Sequence, residues 1–383
     1  MPGGYNGGMT SIDPELPGRA VLTGAHAERR ERLRVKIRRA GLDCLLVTDA
    51  ADRFYLSGFE LHDGQPGESS GCLVIGADGV DWLATDSRYK IAAERVWDPD
   101  RILIYGANRL ARLAGLLNRC GMLIGIKSAA MSLRDVRKIR SGLGRGRSLA
   151  PCPDFVARMR EIKSPEELAA LRLSFRLNHA MFDWLQTGLD AAVLTGISEN
   201  ALAWEIEKFF RSNGASELAF AVIAAAGQNG ALPHAEPSAS VLVSDGPLLV
   251  DAGCRVADYC SDQTRSYWVG GEPSAQFKAA RKLVSEAQAA ALAVMKPGVA
   301  CADVYAAAMD IFKKAGAEKA FTHGLGHGVG LETHEAPSLS PASTQKLEPG
   351  MVVTVEPGLY YPEWGGVRIE HTVVVQEDGV AIL

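Results

Sequence analysis

The sequence predicts two domains in succession: an α/β domain over residues 19–152 and a larger α+β domain over residues 153–383. Three observations carry this. The chain has 383 residues, beyond the size at which one hydrophobic core usually stops growing. Its first part alternates short apolar runs with charged helical stretches. Its second part has long helical stretches, strand-like runs far apart in sequence, and a Pro-rich break at Ala150-Pro151-Cys152-Pro153 before it.

In the first domain, His26 to Ala40 reads as a charged helix. Cys44 to Val47 is a short apolar strand, and Ala51 to Leu56 opens the next segment. Cys72–Ile75 and Trp82–Thr85 read as strands joined by the turn Gly76-Ala77-Asp78-Gly79. Arg101 to Tyr105 and Met122 to Ile126 supply two more strands, with helical stretches near Tyr89–Val96 and Ser132–Ile139. This combination makes a mixed sheet with helices. Residues 1–18, rich in Gly and Pro, are expected to be disordered.

In the second domain, Ser164-Pro165-Glu166-Glu167 starts a helix with an N-cap, a proline at the first helical position and acids in the first turn. It should run to about Leu185. Further helices are expected over Ala201–Arg211, Ser274–Met295 and Asp303–Lys314, ended by Asn213-Gly214, Pro297-Gly298 and Gly316. Strands are expected over Phe220–Ala225, Pro247–Ala252, Arg265–Val269, Met351–Val355 and Glu370–Val375, with the four helices covering one face.

Composition is that of an ordinary globular protein, with 47% hydrophobic and 22% charged residues. The net charge of −4 points to neither nucleic acid nor an anionic membrane. The basic run from Arg29 to Arg39 reads as the solvated face of a helix. There is no apolar signal segment and no stretch long enough to span a bilayer, so a cytoplasmic protein is expected. Seven scattered cysteines without a CxxC pair read as free thiols in a reducing compartment. Cys254 and Cys260 invite a thiolate-metal reading, but carboxylates already flank them, and ordinary strand or turn roles fit better.

Five metal-binding side chains follow in order through the last third: Asp251, Asp262, His327, Glu356 and Glu370. Four carboxylates and one imidazole suit a pair of hard-to-borderline divalent cations. Two such ions can ionise a shared water near neutral pH and polarise a carbonyl. The local frames are Leu248-Leu249-Val250-Asp251-Ala252-Gly253, Ser261-Asp262-Gln263-Thr264-Arg265, His323-Gly324-Leu325-Gly326-His327-Gly328-Val329-Gly330, Val355-Glu356-Pro357-Gly358 and Val367-Arg368-Ile369-Glu370. The glycines between His323 and Gly330 are not a phosphate loop, since no Lys-Ser/Thr follows; close backbone packing around a pocket explains them better.

From Ser164 to Leu383 these frames resemble the pita-bread metallopeptidases: methionine aminopeptidases, Xaa-Pro aminopeptidases and prolidases. The eleven-residue step from Asp251 to Asp262, with Tyr259 and Thr264-Arg265 near the second Asp, belongs to the resemblance, as does His334-Glu335-Ala336-Pro337 after the glycine–histidine run. The preceding α/β domain favours the proline-peptidase and creatinase branch, making that domain creatinase-like. Phe54-Tyr55-Leu56-Ser57-Gly58-Phe59 and Thr85-Asp86-Ser87-Arg88-Tyr89 look most like Xaa-Pro aminopeptidases.

The resemblance implies that Asp251 binds one metal, Asp262 and Glu370 bridge both, and His327 and Glu356 complete the second. Glu356 is also implied to manage the proton of the bridging water. His334 is implied to contact substrate and shuttle a proton near the scissile amide, a task that suits histidine at neutral pH. His323 and His234 match substrate-site histidines of the family. A lone histidine is more often a hydrogen-bonded structural residue, but here the matching order favours the functional reading. Arg368, two residues before Glu370, shares its face on a strand and could anchor a substrate carboxylate or hold a ligand carboxylate. Tyr360 could donate a hydrogen bond in the pocket, and Thr264 could orient Asp262. Ser266 stands where many relatives have Thr, and His371 where an acid is common.

The expected function is hydrolysis by a dinuclear centre (Mn, Co, Zn or Fe) that releases the first residue from peptides with proline second. A homodimer is the default for the family. Prolidase activity, a creatinase- or ectoine-hydrolase-like reaction on a small non-peptide amide, and an inactive binding protein are the alternatives.

Overall fold

The computed structural model describes residues 23–63, 68–188, 196–242 and 245–383. The expected coil at Met1–Gly18 lies outside them. Contacts divide the chain into two compact units, Arg19–Arg160 and Glu161–Leu383. The expected break after Cys152 thus falls later. Strand Ser148–Pro151 still belongs to the first sheet, and helix Phe155–Arg160 packs back on that unit, where buried Arg160 bonds the buried Asp52 carboxylate at 2.7 Å.

Among the described residues, six strands form the N-terminal sheet in the order Ile102–Ile104, Trp82–Thr85, Gly71–Gly76, Cys44–Val47, Leu123–Ile126, Ser148–Pro151. In that order the first pair is parallel, the next two pairs are antiparallel and the last three strands run parallel, so it is mixed as expected. Strands Cys44–Val47 and Gly71–Gly76 are buried at every residue, which is why they read as unbroken apolar runs. Segment Ala50–Ser57 is a helix, capped by Asp49 and ended by Gly58 in the left-handed region.

In the second unit, strands Ile223–Ala226, Gly246–Ala252 and Gln263–Val269 form an antiparallel sheet. A second sheet has the order Glu335–Leu339, Gly326–Gly328, Val352–Val355, His371–Val375, Val380–Ile382. Hairpin Gly358–Tyr361/Gly365–Arg368 accompanies them. The four helices form two pairs. Pro165–Gly188 and Glu199–Ser212 bury Leu177, Met181, Leu202 and Ile206 with Leu248 and Val250 of the first sheet. Ala275–Val294 and Cys301–Lys314 bury Phe277, Val284, Val304 and Phe312 with Val353, Val355 and Val373 of the second. Their inward residues recur every three or four positions, the spacing of one helix face. Each sheet therefore has a packed, rigid back, and its other side is free to carry polar groups.

Candidate metal centre

The sheets bring the five ligand-type side chains together from strands or their immediate ends. Asp251 lies in strand Gly246–Ala252, directly across from Thr264. Asp262 immediately precedes strand Gln263–Val269, and His327 is central in Gly326–Gly328. Val355 pairs with His371, so Glu356 and Glu370 leave the ends of two neighbouring strands side by side. Carboxylate oxygens of Asp251, Asp262 and Glu370 lie within 4.8 Å of one another, all buried. His327 Nε2 lies 3.2 Å from Glu356 and 3.6 Å from Asp262.

Charge concentrated this way is costly without a compensating cation. Burial first, and the neighbouring carboxylates second, push Asp262 and Glu370 well above the usual carboxylate range. Burial also raises Asp251, against the pull of Arg368. Burial would raise Glu356 too, but the hydrogen bond and charge of His327, with Arg368, hold it low. His327 is raised, because Glu356 outweighs the effect of burial on the imidazole.

The donor set fits divalent cations. Asp251 Oδ1 and Glu370 Oε1 are buried and have no hydrogen-bond partner, although buried carboxylate oxygens normally do. Four carboxylates against the Arg368 guanidinium leave three negative charges, which two divalent ions together with one hydroxide would balance. His327 Nδ1 faces the Gly328 carbonyl at 3.1 Å; donating there leaves Nε2 free as a ligand.

A layer of polar groups aims these ligands. Arg368, 2% exposed, donates to Asp251 Oδ2 at 2.7 Å, to Tyr360 Oη at 2.7 Å, to the Pro233 carbonyl at 3.1 Å and to Thr264 Oγ1 at 3.0 Å. Of the two roles expected for Arg368, the geometry supplies the second, holding a ligand carboxylate. Thr264, in turn, donates to Glu370 at 2.9 Å rather than to Asp262, because its side chain lies on the Glu370 side of its strand. Tyr360, 6% exposed, does not line the cavity; its hydroxyl sits between Arg368 and His323 Nε2, 2.8 Å away, and burial pushes it up to about 12. Thr354 accepts from the His327 amide and donates to Glu356.

Two positioning residues had no signal in the motifs. Gln288, on helix Ala275–Val294, donates to the carbonyls of Val355 and Ile369, both at 2.9 Å. These carbonyls immediately precede Glu356 and Glu370. Glu199 is the first residue of helix Glu199–Ser212, and its carboxylate gathers the Ala226 amide, Asn229 and Ser238. That fixes the loop carrying His234. The polar position Gln288 within the apolar stripe of its helix was the one available hint.

The centre opens into a cavity of about 470 Å³, within the range of small-molecule sites. His234, His323, His334, Asp251, Asp262, His327, Glu356 and Arg368 line it, with Phe220, Ile223, Pro233 and Ala235 as an apolar wall. His334 leans on His327, with ring centroids 4.2 Å apart. Burial lowers both His323 and His334, so both tend to stay neutral. Cys254 and Cys260 are buried, bonded to Ser174 and Ser261 or packed by Leu331 and Thr333, and do not line the cavity. Among the described residues, no helix is long and apolar enough to cross a membrane.

The comparisons with known proteins bear on this arrangement. Residues 169–377 match the model of metallopeptidase family M24, and residues 29–162 match that of the creatinase/prolidase N-terminal domain. The uncharacterized peptidase YqhT of Bacillus subtilis is 35% identical over 350 residues, covering 91% of this chain and 95% of the relative. A solved Xaa-Pro dipeptidase from Bacillus anthracis superposes with a TM-score of 0.84 at 31% identity, covering 93% of this chain and 97% of that one. An X-Pro aminopeptidase from Thermotoga maritima superposes with a TM-score of 0.78 at 31% identity, over 92% of this chain and 97% of that one. The matched segment contains all five converging side chains, and the chain belongs to metallopeptidase family M24.

Proposed function

We propose that this chain is an Xaa-Pro aminopeptidase that releases the first residue of peptides with proline in second position. The observation that carries the reading is the convergence of Asp251, Asp262, His327, Glu356 and Glu370 beside a cavity lined by three further histidines and an apolar wall. Two divalent cations (Mn, Co, Zn or Fe) held by those five residues would supply Lewis acidity and an acidified water. Glu356, hydrogen-bonded to His327 and kept ionised, takes up the proton of the attacking water. The departing imide nitrogen receives in net terms the proton that Glu356 takes up, and His334, neutral and at the cavity wall, relays it, accepting a proton on one ring nitrogen as it gives one from the other. His323, its Nδ1–H given to the Gly324 carbonyl and its Nε2 accepting from Tyr360, is fixed as part of the wall that shapes the substrate site, and His234 binds substrate from the loop fixed by Glu199. Arg368 keeps Asp251 in place. The proline ring packs on the apolar wall.

A prolidase is the second reading. One similar solved structure is described as an Xaa-Pro dipeptidase and another as an X-Pro aminopeptidase. Because the Arg368 guanidinium is taken up by Asp251, Tyr360, Thr264 and Pro233, it is a poor anchor for a dipeptide carboxylate, which favours the aminopeptidase. A cytoplasmic homodimer completes the proposal.

The test is a substrate panel with added Mn²⁺: Ala-Pro, Ala-Pro-Ala, creatine and ectoine. The reading expects Ala released from Ala-Pro-Ala and loss of that activity in Asp262→Asn. Cleavage of Ala-Pro alone would move the assignment to prolidase. Turnover of creatine or ectoine without peptide cleavage, or full activity in Asp262→Asn, would reject it.

A further inference from the structure

We infer that Thr333 is a positioning residue that sets substrate selectivity, by clamping the backbone that carries Phe220 at the wall of the metal cavity. The inference rests on the peptidase reading and adds to it the residue that fixes the apolar side of the pocket.

Phe220 lies in a short segment between strands Glu217–Leu218 and Ile223–Ala226. Segments of this kind move unless their backbone is tied down. Here the tie is complete on both sides of one residue. The Ala219 amide donates to the Gly253 carbonyl at 3.0 Å. The Ala219 carbonyl accepts from the Thr333 hydroxyl at 3.1 Å. Gly253 adds a steric stop: a Cβ there would lie 2.7 Å from the Phe220 ring, so the ring rests directly on that backbone. Phe220 thus leans over the end of the strand that carries Asp251.

Thr333 is itself rigidly placed. It is 8% exposed and lines the cavity, and it immediately precedes His334. Its hydroxyl also lies 3.7 Å from Cys260 Sγ, and the Cys260 amide donates to the Gly330 carbonyl at 2.9 Å. Cys260 stands two residues before Asp262. One hydroxyl therefore joins three segments, those bearing Phe220, Asp262 and His334. Its loss would free the apolar wall relative to the reacting centre while leaving every ligand side chain in place. The expected consequence is weaker discrimination for the compact, rigid proline ring over a flexible residue at the same position.

The experiment uses the full chain loaded with Mn²⁺ and compares wild type, Thr333→Val, Thr333→Ser and Phe220→Ala on Ala-Pro-Ala and Ala-Ala-Ala. Thr333→Val keeps the side-chain volume and removes the hydroxyl. It should lower kcat/KM for Ala-Pro-Ala by about tenfold, mainly through KM, as expected for one buried hydrogen bond. The Pro-over-Ala preference should shrink in Thr333→Val and in Phe220→Ala, and return in Thr333→Ser. Bound Mn²⁺ per chain should be unchanged in all four. Wild-type selectivity in Thr333→Val overturns the inference alone, as does a change confined to kcat with selectivity intact. Should wild type cleave neither peptide, the peptidase reading falls and takes the inference with it.

Discussion

Thr264→Val is the sharpest test of how the ligand carboxylates are held. Thr264 is fully buried. Its hydroxyl does two things at once, donating to Glu370 Oε2 at 2.9 Å and accepting from Arg368 Nε at 3.0 Å. Valine has nearly the same shape, so packing is kept and only the two bonds go. A hydrogen bond to a charged group contributes about 1.5–3 kcal/mol. Leaving the Arg368 Nε–H buried and unpaired costs about 1–3 kcal/mol. The added methyl returns roughly 1 kcal/mol of transfer free energy. The net loss of stability in the metal-free protein should be about 2–4 kcal/mol. Without its donor, Glu370 is free to turn, and losing such a partner typically weakens metal binding by about 10–100-fold. Urea unfolding in EDTA reads the first quantity and calorimetric titration with Mn²⁺ reads the second. Thr264→Ser should restore most of both. A variant whose stability falls by less than about 0.5 kcal/mol and whose Kd stays within about threefold of wild type would refute the reasoning.

Gln288→Met should lower stability by about 2–4 kcal/mol, since the Val355 and Ile369 carbonyls lose their buried donor, and it should weaken Mn²⁺ binding without touching any ligand; unchanged titration curves would contradict this. Asp262 and Glu370 bind protons more tightly folded than unfolded. Their contribution to metal-free stability is therefore full below the unfolded carboxylate pKa of roughly 4, and is lost as pH rises through their elevated folded values. The Tm gain from saturating Mn²⁺ should accordingly be larger at pH 8 than at pH 5, and a pH-independent gain would count against the coupled carboxylates. His26 is buried and lowered to about 4 from 6.5, chiefly by burial. It stays neutral in the fold and charges when unfolded, so its contribution is present above pH 6.5 and is lost as pH falls towards 4. This amounts to about 3 kcal/mol in the N-terminal unit. Urea unfolding of wild type and His26→Gln at pH 7 and pH 4.5 measures it, and equal pH dependence of the two would rule it out.

What was legible in sequence follows from how local each signal is. Helices Pro165–Gly188 and Ala275–Val294 announce themselves through caps, stop residues and an apolar face. The five side chains that converge were legible because each sits in a frame of glycines, prolines and apolar strand residues with little freedom. Short strands such as Gly326–Gly328 and Gly365–Arg368 were missed, because glycine-rich segments carry no apolar alternation. Helix Arg109–Cys120 was missed between two strands that were recognised. The positioning layer was hardest. Gln288, Glu199 and Thr333 act on backbone atoms 67 and 81, 27, and 114 residues away respectively, and a hydrogen bond to a distant carbonyl or amide leaves no mark in the sequence beside either partner. For the same reason Thr264 was assigned to the neighbouring Asp262, whereas its hydroxyl reaches Glu370 across the sheet.

The account stands or falls on the metal count. Metal-free protein titrated with Mn²⁺ and read by calorimetry, with elemental analysis of the dialysed complex, should bind about two ions per chain. Asp262→Asn and Glu370→Gln, which each remove one of the three carboxylates clustered within 4.8 Å, should bind at most one, weakly. Wild-type protein that takes up no divalent ion, or variants that keep both ions at wild-type affinity, would contradict the claim.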